Sequence, residues 1–381
     1  DPEPTHIEEI RRGIREEGWV SKGYRDSVVS ANSDVADVDR VKEACTVNPS
    51  YAKSSYPCPK PVGELWMHLP MDKHGMKIEQ SLCIERSELT ITISWTDGGE
   101  IKLLCFVHPT RNVLVVNWEV HDWHALTAIG HQLPVWFSVY RWADPTIEQF
   151  RFDLFRRSRN RSIRYPETPG DCPPLPAPSV KEFEGRSVIE QTFFPDLEFT
   201  DGFTYFMMPF VTDGFNIDPV NEGPSDDKAI QLWGNDDVLA GSMCVAIPCS
   251  SDEGGCEAEA SRFVADLSDV KRAVRQLHQE TLEAAEAFWS RSSIEMDDKT
   301  LERTWYETVY LRRCTYRGDK IAPGLGLPST VQDYSMWHGD YHMNFNYQQP
   351  FYGDYGSNHI EVGDSFFPGL ESMFEIGREI A

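Results

Sequence analysis

The spacing of apolar residues changes near residue 262, and that change limits the chain to a sheet followed by helices. Upstream, Leu89, Ile91 and Ile93 alternate with Thr90, Thr92 and Ser94. Asp97-Gly98-Gly99 is a hairpin turn signal, and Ile101, Leu103 and Cys105 resume the alternation. Val113 to Val120, Phe203 to Val211 and Met243 to Ile247 are further strand runs. Short alternating strands with frequent turns predict an antiparallel β-sandwich over 61–262, with Pro169 to Pro178 as a long excursion. Downstream, Leu267, Val270, Val274, Leu277, Thr281, Ala284, Ala285 and Phe288 fall at spacings of three and four. They predict a helix over about 267–291 within a linker, 263–293, with Ser268 as its cap. A second helix starts near Asp298, places Leu301, Trp305 and Val309 on one face, and stops before Gly318. Phe366, Leu370 and Met373 or Phe374 begin another, so 294–381 reads as the start of a helical domain. Residues 1–60 hold a short helix opened by a capping box, Thr5-His6-Ile7-Glu8, and then an irregular segment.

Composition excludes some partners. A net charge of -25, from 36 basic and 61 acidic residues, repels nucleic acid and anionic lipid. No run of about 18 apolar residues occurs, so no membrane span is expected. The basic cluster Arg156, Arg157, Arg159, Arg161 and Arg164 reads as an exposed loop beside acidic neighbours, with phosphate binding as the rarer alternative. Cys83 and Cys105 sit in strand patterns and are expected as core thiols. A disulfide could close Cys249 to Cys256, and another Cys45 to Cys58. No Cys-x-x-Cys occurs, which argues against a zinc ribbon.

The densest chemistry is Trp337-His338-Gly339-Asp340-Tyr341-His342-Met343-Asn344-Phe345-Asn346-Tyr347. So many hydrogen-bonding groups are costly to bury unless each is paired. Two readings follow from the residues alone: a polyhydroxylated ligand, or a tight polar turn bonded to its own backbone. This stretch, continued to Tyr352, resembles the signature of glycoside hydrolase family 95, the inverting α-L-fucosidases, with His338 as an extra residue. Phe288 to Glu295, then Leu301 to Tyr306 and Tyr310, are similar to that family's linker and first barrel helix. Ser81 to Ile84, Val107 to Pro109 and Asn112 to Val116 resemble its sandwich strands. The family's Gly-Asn-Gly-x-x-Gly stretch is absent, and Gln349-Pro350-Phe351-Tyr352-Gly353 stands where it has Met-Asn-Tyr-Trp-Pro.

The resemblance implies a β-sandwich, a helical linker and the first helices of an (α/α)6 barrel, incomplete in this chain. The remainder would come from chain beyond residue 381 or from another chain. It implies an oligosaccharide or polysaccharide substrate, no cofactor, and a secreted or periplasmic location. Inversion needs an acid, and a base that activates water on the opposite face. In the family two Asn of the signature position that water, which here are Asn344 and Asn346. His342 is expected to contact sugar hydroxyls, Trp337 to stack on a sugar face, and Asp340 to support the substrate loop. The family's acid and base carboxylates lie downstream of residue 381; if activity resides within the chain, Asp340, Glu361 and Asp364 are the first to test. Two alternatives stay open. His338, Asp340, His342 and His359 could be metal ligands. The chain could also be a non-catalytic sugar-binding fragment, with Trp118, Trp123, Trp136 and Trp142 as available rings.

Overall fold

A computed structural model describes residues 61–69, 75–96, 98–122, 135–142, 176–193, 202–220, 227–234, 238–318, 320–324, 341–343, 345–372, 374 and 378. The expected N-terminal helix, Cys45, Cys58, Trp123, the arginine cluster and most of the Pro-rich excursion lie outside them. In chain order the strands are β1 (Glu64–His68), β2 (Lys77–Cys83), β3 (Glu88–Ser94), β4 (Glu100–Val107), β5 (Val113–His121) and β6 (Trp136–Arg141). There follow β7 (Ser179–Phe183), β8 (Arg186–Phe193), β9 (Phe203–Val211), β10 (Phe215–Val220), β11 (Lys228–Gly234) and β12 (Ala240–Ala246). The described helices are α1 (Cys256–Asp266), α2 (Val270–Trp289), α3 (Lys299–Thr315), α4 (Phe345–Gln348), α5 (Tyr352–Gly356), α6 (Ile360–Gly363) and α7 (Phe366–Ser372).

Two antiparallel sheets carry the strands. A small one runs β1-β6-β11-β10, and a large one runs β2-β3-β4-β5-β12-β9-β8-β7. Between them lies one core, with Ile93, Ile101, Val116 and Trp118 from the large sheet against Phe137, Val139, Ile230 and Leu232 from the small one. Trp118 faces Gly241 across the β5–β12 pair. A Cβ on Gly241 would overlap the Trp118 ring, so the strand needs glycine there.

The large sheet is also covered on its other face. Phe106, Val115, Phe206, Met208, Phe210 and Cys244 pack against Phe263, Leu267, Val270, Val274 and Leu277 of the α1–α2 region. Neighbouring residues on a strand point to opposite faces, so Val115 and Val116 are both buried, each in a different core. This explains why the central strands read as continuous apolar runs. The edge strand β2 is exposed nearly throughout and carries Lys77 and Glu79, which discourages pairing with other chains.

The helix expected over about 267–291 is α2, and a second helix that was not expected, α1, precedes it from Cys256, inside the stretch read as sandwich. Leu267, 1% exposed, closes α1 by driving its side chain into the core. Asp269, not Ser268, caps α2 by accepting from the Arg272 N–H at 3.0 Å. Ser268 Oγ instead donates back to the Ala265 carbonyl at 2.9 Å. The Cys249–Cys256 disulfide is also corrected, for both thiols are free. Asp252 does the closing: its carboxylate accepts from the Cys249 N–H at 2.7 Å, and its carbonyl from the Gly255 N–H at 2.8 Å. Burial pushes the Cys256 thiol up to about 12. Cys83 and Cys105 are half-buried rather than fully enclosed.

The second helix, α3, is capped by Asp298, which accepts from the Thr300 and Leu301 N–H groups at 2.9 and 3.2 Å. Val309 on it is buried with Phe288 and Val362. Leu301 and Phe374 are exposed. Two strand turns fasten the helical part to the large sheet. Trp289 Nε1 donates to the Ile84 carbonyl at 3.0 Å, Arg313 to Ser87 Oγ at 2.9 Å, and Arg317 to the Thr110 carbonyl at 3.2 Å. No helix among the described residues is long and apolar enough to cross a membrane.

Candidate functional site

The chain after α3 turns back on itself and builds an aromatic cluster. Tyr347 is central. Its ring stacks on Phe366 at 5.0 Å and packs near Phe351 and Tyr341 at 5.7 and 5.4 Å. Its hydroxyl donates to the Phe366 carbonyl at 3.1 Å. Tyr341 donates to the Ala322 carbonyl at 2.7 Å, and the Tyr347 N–H to the His342 carbonyl at 3.0 Å. These bonds hold Tyr341 and Tyr347 in place and tie Tyr347 to His342. Behind the cluster Arg312 makes a two-pronged pair with Asp354, only 3% exposed at its side chain, and lies 4.5 Å over the Tyr316 ring. A planar guanidinium suits both contacts at once.

The front of this cluster is a shallow hollow of about 230 Å³, counting its open mouth. Tyr316, Tyr347, Phe351, Pro323, Gly324 and Pro350 form its walls, and His342 and Asn346 supply its polar side chains. Burial raises the phenols, with Tyr347 up to about 12, so they stay neutral donors at working pH. No carboxylate is among the described residues that line it. Its enclosed part is only about 10 Å³, room for about one held water, so a larger ligand would rest at its mouth. Asn346 offers an amide carbonyl that accepts, and His342 a ring nitrogen that donates or accepts.

Of the expected site residues, His342 and Asn346 are brought together on this wall, both exposed. Trp337, His338, Asp340 and Asn344 lie outside the described residues. His359 is elsewhere: it is 1% exposed, stacks on Phe288 at 3.9 Å and meets Ser292 Oγ at 3.2 Å. Glu361 pairs with Arg291, and Asp364 is exposed. No group of three or more metal-ligating side chains occurs among the described residues. Trp118 and Trp142 are buried, while Trp136 is half-buried. Sequence reasoning missed Tyr316, Tyr347 and Phe351 as walls. Their signal was the aromatic density from Tyr341 to Phe367, which continues past the polar stretch.

No family model and no curated protein matches this chain. Solved structures do. One is described as a kojibiose phosphorylase from the human microbiome, 12% identical, covering 70% of this chain and 33% of that one at a TM-score of 0.40. Another is a bacterial glucoamylase complexed with acarbose, 8% identical, covering 76% and 40% at 0.39. A third is a family GH92 α-mannosidase from Bacteroides thetaiotaomicron, 8% identical, covering 66% and 32% at 0.35. The chain therefore spans between 32% and 40% of the length of these structures.

Proposed function

We propose that this protein acts on neutral glycosides, with residues 337–347 as part of the sugar site of an inverting glycosidase similar to glycoside hydrolase family 95. One observation carries the reading: His342 and Asn346, named by the signature, line the same hollow against three aromatic walls. An amide takes no proton near neutral pH, so Asn346 serves by accepting a hydrogen bond from water and aiming its lone pair at the anomeric carbon. Asn344 is assigned the same task, His342 contact with a sugar hydroxyl, Trp337 stacking, and Asp340 support of the loop. The acid and base carboxylates come from outside the hollow's described walls. In this reading 1–60, 61–262, 263–293 and 294–381 are successive parts, the last belonging to an (α/α)6 barrel, and the protein is secreted or periplasmic. α-L-Fucosides are the first substrates to try.

The test is turnover of aryl α-L-fucosides and related aryl glycosides by the full-length protein, with the product anomer read by NMR. Asn346→Ala is expected to lower kcat by roughly 10²-fold or more with little change in fold. An unchanged kcat would remove Asn346 from the water site. The absence of a carboxylate among the hollow's described walls favours a second reading, sugar binding without cleavage. Saturable binding of the sugar with no turnover of any glycoside would select it.

A further inference from the structure

The outer face of the small sheet carries an unusual set of rings. Leu65, Met67, Phe137, Val139, Ile230 and Leu232 point into the core, so the residues between them point away from it. Those are aromatic in three neighbouring strands. His68 pairs with Trp136 across β1–β6, and Trp136 with Trp233 across β6–β11, giving one row that crosses the sheet. His68 and Trp136 stack at 3.4 Å with 7° between planes. Trp66, 48% exposed, is flanked by His68 at 6.2 Å and Tyr140 at 5.3 Å. Trp66 is the exposed ring, and His68, Trp136, Tyr140 and Trp233 are half-buried around it; isolated exposed rings are ordinary, but a contiguous set rimmed by polar groups marks a binding surface.

The polar groups are placed in a particular way. Trp66 Nε1 donates to Glu64 Oε2, and Trp233 Nε1 donates to Asp218 Oδ2 at 2.5 Å. Tyr140 donates to Asp227 Oδ2 at 2.6 Å. Both indoles and the phenol are therefore held in orientation by a carboxylate beside them. Glu64 Oε1 and Asp218 Oδ1 have no hydrogen-bond partner among the described residues. The surface thus presents ring area together with acceptors and a negative rim.

We propose that this face binds a neutral glycan chain, apart from the His342–Asn346 hollow. Sugar rings have apolar C–H faces that pack on aromatic rings, and hydroxyl edges that donate to carboxylates. The four strands span about 14 Å, room for a short oligosaccharide rather than one ring. Phosphate-bearing or acidic partners are opposed by Glu64, Asp218 and the chain's net charge of -25. The large sheet lies between this face and α1–α2, so ligand here is separated from the helical side by two sheet layers, each about 10 Å apart from the next. The role is attachment to a polymer, whatever the hollow does.

Native electrophoresis in gels cast with soluble β-glucan, xyloglucan, galactomannan or starch tests this, with polygalacturonate as the anionic control. At least one neutral glycan is expected to retard the protein, and polygalacturonate not. Trp66→Ala, at an exposed position, is expected to weaken retention at least about tenfold. Glu64→Gln and Asp218→Asn, which keep size and fold, are expected to weaken it less, and Leu301→Gln, exposed on α3 and outside both sites, not at all. Retention that Asn346→Ala abolishes and Trp66→Ala leaves intact would move the binding to the hollow and overturn the proposal. So would no retardation by any neutral glycan. Self-association in sedimentation that Trp66→Ala abolishes would make a second copy the occupant, and the proposal would fail.

Discussion

The sheets and the helices beyond them are held together by different means. The large sheet buries both faces, and residues such as Ile101, Val115, Met208 and Cys244 are fully enclosed. Among the described residues, the segment from α3 onward has two small clusters, Val309–Val362 with Phe288 of α2, and Ala322–Tyr347–Phe351. Trp305, Phe366 and Leu370 pack partly buried against them, but several large apolar residues face outward, among them Leu311 at 58% exposed, Phe345 at 60% and Ile360 at 54%. What fixes this region is polar and directional: Arg312 on Asp354, His359 on Ser292, Tyr347 on the Phe366 carbonyl. Apolar burial is non-directional and tolerates small shifts, whereas a clamp either forms or does not. The candidate site therefore rests on a few bonds, each of which a single substitution can remove.

The largest effect should come from the deepest clamp. Arg312→Ala leaves the Asp354 carboxylate buried and unpaired, a change that costs about 3–5 kcal/mol where a pair is well enclosed. Hydrogen exchange should then rise across residues 341–372 while the strands keep their protection. Equal loss of protection in both regions would mean that sheet and helices unfold as one unit, and would end the comparison. Arg312→Met with Asp354→Leu should recover much of the loss, since neither charge then remains to be buried.

A smaller effect should appear at the seam between the regions as pH falls. His108, nearly buried on the sheet side, donates through Nε2 to Glu280 of α2 at 3.0 Å, while its Nδ1 accepts the Arg111 N–H at 3.1 Å. Nδ1 as acceptor requires the neutral ring. Burial, the leading cause, holds its pKa below the ordinary value, against the pull of Glu280. A lowered histidine contributes stability that is present above its unfolded pKa of about 6.5 and lost as pH falls toward the folded value. Unfolding free energy should decline between those two values by at most about 1.4 kcal/mol per pH unit from this group. His108→Gln should flatten that part of the profile. Glu88 acts in the same direction lower down, because its bond to Arg86, and then that to His278, holds it below the usual carboxylate range. An unchanged slope in His108→Gln would take the seam out of the pH response.

The same contrast decides what could be read from the sequence. β3, its hairpin at Gly98 and β4 were legible because one residue in two is apolar and the turn has its own chemistry. α3 was legible from Asp298 and the spacing of its face. α1 was not, because its buried face is only Cys256, Ala260 and Phe263, too few apolar residues to show a period. The third layer was hidden for another reason: period-two patterning cannot tell which partner covers a face that is buried on both sides. In the candidate site, His342 and Asn346 were marked by the resemblance of their stretch to a glycosidase signature, since type and spacing alone left a polar turn open. The Arg312–Asp354 clamp was not, since its partners are 42 residues apart and each is unremarkable alone.

The smallest expected effect is the sharpest test of the helical side. Leu301 and Val309 lie on one face of α3, yet Leu301 is 53% exposed and Val309 only 7%. Leu301→Gln removes apolar area already in contact with water, so stability in urea should change by no more than about 0.5 kcal/mol. Val309→Ala removes packed methyls facing Phe288 and Val362, and should cost clearly more, about 1 kcal/mol or above. The ratio matters more than either value. If Leu301→Gln costs as much as Val309→Ala, then Leu301 is covered in solution by something that contacts α3, and the exposed apolar residues of this region are an interface. If the two differ as expected, the outward leucine contributes nothing to folding, and directional clamps rather than apolar burial hold the region that presents His342 and Asn346.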